Sequence, residues 1–329
     1  MNVLVTGGAG YIGSHVVEEL RRTGFTPIVY DNLSTGHAAA VSEEVQLVEG
    51  DIHNIEFLKH IIDRFEIDAV MHFAASSLVG ESMTNPAKYY FNNVEGTLHL
   101  LEAMRTSGVD KIVFSSTAAV YGEPLKTPIE ENAPLQPTNV YGRTKVIIEK
   151  ILADYSKAYG INYTALRYFN AAGASLDGHI GEDHNPESHL IPLILKTALG
   201  IRKNVAIFGT DYKTPDGTCL RDYIHVCDLA TAHVLALQYL IKGGASTAFN
   251  LGSEKGFSVR EIIQTAKKVT GKDFLVTEEA RRAGDPAVLV AASTKIKKEL
   301  GWKPAHSTIA EIISTAWQWH QAHPQGYEA

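Results

Sequence analysis

Cysteine is nearly absent from this sequence: Cys219 and Cys227 are the only two in 329 residues. So few thiols argue against a disulfide framework and fit a reducing cytoplasm. No apolar run approaches the ~18 residues that would mark a membrane-spanning helix, so none is expected. Long blocks of like charge are missing as well, which leaves no charged binding tail. With 30 Lys and Arg against 37 Asp and Glu, the net charge of −7 argues against nucleic acid as the main partner. The opening Met1-Asn2-Val3-Leu4-Val5 enters a strand-like run directly and does not read as a signal peptide. Repeats and low-complexity segments are absent. What remains is ordinary globular protein, 45% hydrophobic and 20% charged, enough for one large or two intimately joined domains.

The first half alternates two patterns. Val3–Val5, Pro27–Tyr30, Val45–Val48, Ala69–Phe73, Lys111–Ser115 and Tyr163–Phe169 are short apolar runs. Between them, Tyr11–Arg22, Asn54–Phe65, Tyr89–Thr106 and Val140–Tyr159 carry helical periodicity. Buried runs alternating with helices predict an α/β fold, a doubly wound, Rossmann-type parallel sheet with helices on both faces. After Phe169 the texture changes to a long loop-rich stretch, then short mixed elements and a closing amphipathic helix at Ile309–His320. Residues 1–170 therefore read as the Rossmann-type domain, with later segments near 225–250 returning to it. Residues 171–329 read mainly as a smaller mixed α/β region for substrate.

Between the first strand and first helix lie Gly7, Gly10 and Gly13, spaced G-x-x-G-x-x-G. Such a turn brings backbone N–H groups and a helix N-terminus against a pyrophosphate, where side chains would obstruct. Asp31 closes the second strand, 18 residues beyond Gly13. A carboxylate there accepts both hydroxyls of an adenosine ribose and repels a 2′-phosphate, which favours NAD over NADP. Asp51 and Ile52, after the third strand, read equally as a reach toward an adenine and as a plain turn. Tyr141 and Lys145 are four apart on a predicted helix and so share a face. A phenol titrating near ~10 is a poor base at neutral pH, and a neighbouring ammonium is expected to pull it down. That spacing alone is common on helix surfaces; the glycine turn supplies the hydride acceptor that gives it meaning.

The glycine run, Asp31, Ser115-Ser116-Thr117 and the Tyr141/Lys145 pair resemble the extended short-chain dehydrogenase/reductase superfamily. Further motifs narrow the likeness. Phe73-Ala74-Ala75, Val79-Gly80-Glu81-Ser82, Tyr89-Tyr90-Phe91-Asn92-Asn93, Arg167-Tyr168-Phe169-Asn170, Arg221-Asp222-Tyr223-Ile224-His225 and His323-Pro324-Gln325-Gly326-Tyr327 resemble the UDP-glucose 4-epimerase family, over essentially the whole chain. The resemblance implies NAD-dependent inversion at C4 of UDP-hexoses through a transient 4-keto sugar. Tyr141, Lys145 and Thr117 would be catalytic. Tyr11, Ile12, Asp31, Asn32, Asp51, Ile52, Phe73, Ala74, Ala75, Asn92 and Phe169 would face the cofactor. Asn170, His189, Leu190, Ala206, Phe208, Arg221, Arg282 and Asp285 would face substrate, the arginines as forks for a diphosphate. A homodimer is also implied.

Three departures from the family pattern stand out. Ser77 replaces a frequent lysine, His189 a frequent asparagine, and Leu289 stands where a large or small residue limits the pocket at the sugar's C2. Leucine is intermediate there and predicts some tolerance of N-acetylated UDP-hexoses. His179, His184 and His189 share one loop, but no metal-ligand spacing supports a site and no metal is expected. As a lone aromatic in a β run, Phe208 would more often be core. The remaining alternatives are another nucleotide-sugar enzyme and a non-catalytic NAD-binding regulator. Ala118 and Ala119 after Thr117 cannot transfer protons, which argues against a dehydratase; intact Thr117, Tyr141 and Lys145 argue against a regulator.

Overall fold

Six apolar runs of the first half become parallel strands: β1 (Asn2–Thr6), β2 (Thr26–Asp31), β3 (Gln46–Glu49), β4 (Ile67–His72), β5 (Lys111–Ser115) and β6 (Asn162–Tyr168). The computed structural model describes residues 1–282 and 286–327. The later strands are β7 (Asn170–Ala172), β8 (Asn204–Phe208), β9 (Leu220–Arg221), β10 (Tyr223–His225), β11 (Thr247–Leu251), β12 (Phe257–Ser258), β13 (Leu275–Glu279) and β14 (Val288–Leu289). The helices are α1 (Tyr11–Arg22), α2 (Ile55–Arg64), α3 (Val79–Thr84), α4 (Pro86–Tyr89), α5 (Gly96–Thr106), α6 (Val140–Tyr159), α7 (Leu190–Ala198), α8 (Val226–Ile241), α9 (Val259–Thr270), α10 (Thr294–Leu300) and α11 (Ile309–Ala322).

The main sheet has seven strands in the order β11-β6-β5-β4-β1-β2-β3, all pairs parallel. This is the doubly wound Rossmann arrangement, and its winding reverses between β1 and β4, where such sheets open a binding crevice. Alternation along β1 explains the two cores. Val3 and Val5 face α1 and α8 with Val16, Leu20, Leu229 and Leu237, while Leu4 faces α2, α5 and α6 with Leu58, Leu101 and Leu152. A third core joins α7, α9 and α11 through Leu195, Ile263, Ile312 and Trp317. It covers β8 and β13, a separate parallel pair.

One predicted helix is interrupted. Tyr89–Thr106 is not continuous: a π-helical turn occupies Tyr90–Glu95 before α5 begins. π-Turns inside helices often mark functional sites. Here it is followed by close packing, because a Cβ on Gly96 would sit 2.4 Å from Cδ1 of Ile52. Among the described residues no helix is long and apolar enough to cross a membrane.

Candidate active site

The crevice at β1 and β4 is lined by the glycine turn. Gly7 has φ +73°, and a Cβ there would meet the Ala74 nitrogen at 2.5 Å. A Cβ on Gly13 would lie 2.2 Å from the Gly7 carbonyl oxygen. Gly10 caps α1 without any side-chain cap and with no acidic residue in the first turn. That leaves the N–H groups around Tyr11 and Ile12 to an anion. Phe73 and Ala74 donate their N–H groups to Thr6 O at 2.8 and 3.0 Å, so the segment after β4 lies against the turn and carries Ala75 with it.

At the end of β2, Asp31 Oδ2 accepts from Ala9 N and Oδ1 from Leu33 N, both at 2.9 Å. Burial raises its pKa, and the two backbone donors act against the rise. Asn32 donates to Asp51 Oδ2 at 2.9 Å. Burial disfavours the charge on Asp51, but the donors from His53 and Asn32 together outweigh it and hold the carboxyl below its usual range. Ile52 is 5% exposed and belongs to the core. Asn92 stands on the π-turn with Nδ2 3.4 Å from Ser76 Oγ. Its neighbour Asn93, not singled out from sequence, is the structural tie. It is buried, accepts from Ser76 N at 2.8 Å, and donates to Ser76 O at 3.0 Å and Thr144 Oγ1 at 3.2 Å. A doubled asparagine inside a helical pattern was the available signal, since asparagine is a poor interior helix former.

Thr117, Tyr141 and Lys145 converge at the C-terminal end of β5. Thr117 is in extended conformation after the strand and caps a short 3-10 turn over Ala118–Tyr121. Asn139 caps α6, accepting from Gly142 N at 2.8 Å, and so starts the helix at the tyrosine. Gly142 lets that first turn press onto the Thr117 loop: a Cβ would lie 2.7 Å from Ala119 O. The Thr117 side chain stands near enough to the Tyr141 phenol to favour its ionised form. Lys145 is 2% exposed, donates to Ser115 O at 2.8 Å, and holds Nζ 5.8 Å from the Tyr141 ring centroid.

The electrostatics correct one expectation. Tyr141 is not depressed by Lys145 in the chain alone. Burial pushes the phenol up to about 12, and only the Thr117 side chain pulls it back. Burial likewise lowers Lys145 to about 7, against the attraction of Glu149. Desolvation disfavours both charged forms and dominates at each group. Beneath them lies a buried pair absent from the sequence reading. Glu149 accepts from Arg167 Nε at 3.0 Å and from Ser116 Oγ at 2.5 Å, while Arg167 Nη1 donates to Tyr121 OH at 2.8 Å.

The residues expected at the substrate occupy several elements. Asn170 opens β7 and donates to Asp222 O at 2.8 Å. His189 caps α7 and Leu190 begins it. Val205 and Ile207 of β8 enter the third core, so Ala206 and Phe208 share the opposite, half-buried face. Phe208 is not core: its ring lies under the Arg282 guanidinium, 3.8 Å from centroid to Cζ. Arg221 on β9 pairs in register with Leu289 on β14 and donates to Pro286 O at 2.8 Å. Leu289 packs with Phe169 against Ala118, Val120 and Tyr121, the loop that carries Thr117. Asp285 lies outside the described residues. His184 and His189 meet two carboxylates, Glu182 and Glu187; His179 does not join them.

Known proteins share this arrangement. The profile of the NAD dependent epimerase/dehydratase family matches residues 3–252. A UDP-glucose 4-epimerase of Halalkalibacterium halodurans is 55% identical over 99% of this chain and 98% of its own. This chain belongs to the UDP-glucose 4-epimerase family. Two solved members have the same fold throughout. The epimerase from Brucella ovis, in complex with NAD, is 51% identical with a TM-score of 0.94, covering 96% of this chain and 97% of its own. That from Bifidobacterium longum, in complex with NAD+ and UDP, is 38% identical with a TM-score of 0.94, covering 99% and 100%. Arg282 and Leu289 fall beyond the family profile, yet within the span shared with these epimerases.

Proposed function

We propose that this chain interconverts UDP-galactose and UDP-glucose by NAD-dependent epimerisation at C4. The observation that carries the reading is the convergence of Thr117, Tyr141 and Lys145 beside the glycine crevice. The crevice suits the cofactor: Gly10 heads α1 with no side-chain cap, which leaves N–H groups for a pyrophosphate, and Asp31 ends β2 beside the turn, where it accepts from Ala9 N. When bound, NAD supplies the hydride acceptor and, in its oxidised form, a positive charge that favours a phenolate.

Gly7, Gly10, Tyr11, Ile12 and Gly13 hold the pyrophosphate; Asp31 and Asn32 take the adenosine ribose, and Asp51 with Ile52 the adenine. Phe73, Ala74, Ala75, Asn92 and Phe169 form the remaining wall. Tyr141 removes the 4-hydroxyl proton through or alongside the Thr117 hydroxyl. Lys145 positions this proton path and hydrogen-bonds the nicotinamide ribose. Loss of that proton and of the C4 hydride leaves a planar ketone, which turns within the site and is reduced on its other face. Arg221 and Arg282 grip the diphosphate while the sugar turns, with Asn170, His189, Leu190, Ala206, Phe208 and Asp285 around the nucleotide and sugar. Leu289 bounds the C2 substituent, and its intermediate size admits N-acetylated hexoses.

We further propose a cofactor domain of residues 1–170 with about 225–250, a substrate region in the rest, and a cytoplasmic homodimer. The dimer reading is supported by Val79, Met83, Tyr90 and Phe91, apolar residues exposed together on the α3 to π-turn segment. Purified protein incubated with UDP-galactose, without added NAD, is expected to yield UDP-glucose. Tyr141→Phe is expected to lose this conversion; full activity in that variant would refute the mechanism.

A further inference from the structure

The loop that leads into α7 folds back on itself. Glu187 Oε1 accepts the N–H groups of Ser188 and His189, both at 2.7 Å, and so turns the end of the loop toward its beginning. Four donor side chains meet there. His189 Nδ1 lies 2.9 Å from Glu182 Oε1 and 2.9 Å from Glu187 Oε1, while His184 Nδ1 lies 3.2 Å from Glu182 Oε1 and 3.8 Å from Glu187 Oε2. Both carboxylate side chains are only 5% exposed. Two of the converging atoms, His184 Nδ1 and Glu187 Oε2, are buried without a hydrogen-bond partner. Buried polar atoms are almost always paired, so two orphans aimed at one point call for a ligand.

We propose that Glu182, His184, Glu187 and His189 form a binding site for one divalent transition-metal ion of the zinc class. Imidazole and carboxylate are both ordinary ligands of such ions. Tetrahedral Zn–N and Zn–O bonds of about 2.0–2.1 Å set donors about 3.3 Å apart. The observed separations straddle that edge, and all four atoms lie within 4.8 Å of one another. The ion accepts both orphaned atoms at once. It also leaves each ring's proton on Nε2, fixing the tautomer of His189 at the head of α7.

In the absence of a cation, protons take its place. Burial alone would lower both imidazoles, but the carboxylates outweigh it and raise His184 to about 9 and His189 to about 10. The role is structural. The loop already meets α1, where the His184 ring stands edge-on to Tyr11 at 6.2 Å, and the C-terminal segment, where Asp183 accepts from Tyr327 N at 3.0 Å. An ion at the four side chains fastens this junction.

The full chain, prepared without a polyhistidine tag and stripped with chelator, is titrated with Co²⁺ as the spectroscopic probe and with Zn²⁺ in competition. The expected result is one ion per chain, with the visible spectrum of tetrahedral nitrogen and oxygen ligation and displacement by Zn²⁺. Glu187→Gln and His184→Ala, shown folded by circular dichroism, are expected to weaken binding at least as much as the ~10–100-fold that losing an outer-shell partner costs. His179→Ala, in the same loop but outside the cluster, is expected to bind normally. Absence of stoichiometric binding, an intense sulfur-to-cobalt band, or unchanged affinity in Glu187→Gln would overturn the site. None of these readouts uses epimerase activity, so the two proposals fail separately.

Discussion

Gly142→Ala tests how the reacting groups are held together. By intrinsic preference the change should help α6, since alanine in a helix is favoured over glycine by up to about 1 kcal/mol. The packing says otherwise. The new Cβ would stand 2.7 Å from Ala119 O and 2.9 Å from Pro137 Cβ, whereas ordinary contact begins at 3.4 Å. The first turn of α6 and the Thr117 loop must therefore part by about 0.7 Å, the difference between 3.4 and 2.7 Å. Overpacking of this kind costs about 1–3 kcal/mol, offset in part by the helix gain. The larger effect falls on the Tyr141–Thr117 contact, because a misplacement approaching 1 Å costs up to about 100-fold in rate. The prediction is a kcat for UDP-galactose reduced about 10- to 100-fold, with KM and bound NAD nearly unchanged. A coupled assay for UDP-glucose, with the nucleotide content of the purified variant read by absorbance, measures all three. Wild-type kcat would refute the claim that this glycine sets the catalytic distance.

Two further outcomes follow from residues already placed. In nucleotide-free protein, burial lowers Lys145 from 10.5 to about 7, so the unfolded chain binds more protons between those values. The burial penalty is full below pH 7 and relieved as pH rises toward 10. The stability advantage of Lys145→Met over the unmodified chain should therefore shrink across that window in urea denaturation, and a constant difference would refute the shift. Leu289→Tyr should reduce turnover of UDP-N-acetylgalactosamine more than that of UDP-galactose, because Leu289 packs beside the Thr117 loop. Undetectable activity of the unmodified protein on the acetylated sugar would sink this reading.

The parallel sheet was legible because each buried strand is a short apolar run set between periodic helices. The glycine turn and Asp31 were legible because their chemistry is local, within one strand-turn-helix unit. Other features depend on distant contacts. Val205, Ala206, Ile207 and Phe208 are all apolar, so the alternation that turns Phe208 out of the core toward Arg282 leaves no mark in the sequence. The spacing of His184 and His189 matches no helical ligand pair, and only the backward fold at Glu187 brings them together. Glu149 and Arg167 lie on α6 and β6, and their pairing is a product of how helix and sheet meet. Nothing in the sequence marks Gly142, which lies between Tyr141 and Lys145; its function appears only when Ala119 is set against it.

The same distinction governs the proton chemistry. A tyrosine four residues from a lysine suggests a phenol activated by a neighbouring charge. Burial reverses that balance in the chain by itself. Burial keeps the Tyr141 phenol protonated at pH 7 and weakens the hold of Lys145 on its proton, so the activating charge is itself disfavoured. Neither group can be exposed to water to mend this without opening the site in which a ketone must turn. Glu149 does not remedy it either, since its carboxylate is already committed to Arg167 and Ser116. The missing positive charge has to come from outside the polypeptide, and the proposed oxidised cofactor carries one. On the proposed mechanism the proton path is weak without the cofactor and complete only when a hydride acceptor is bound, so the 4-hydroxyl would be deprotonated only where its hydride has somewhere to go.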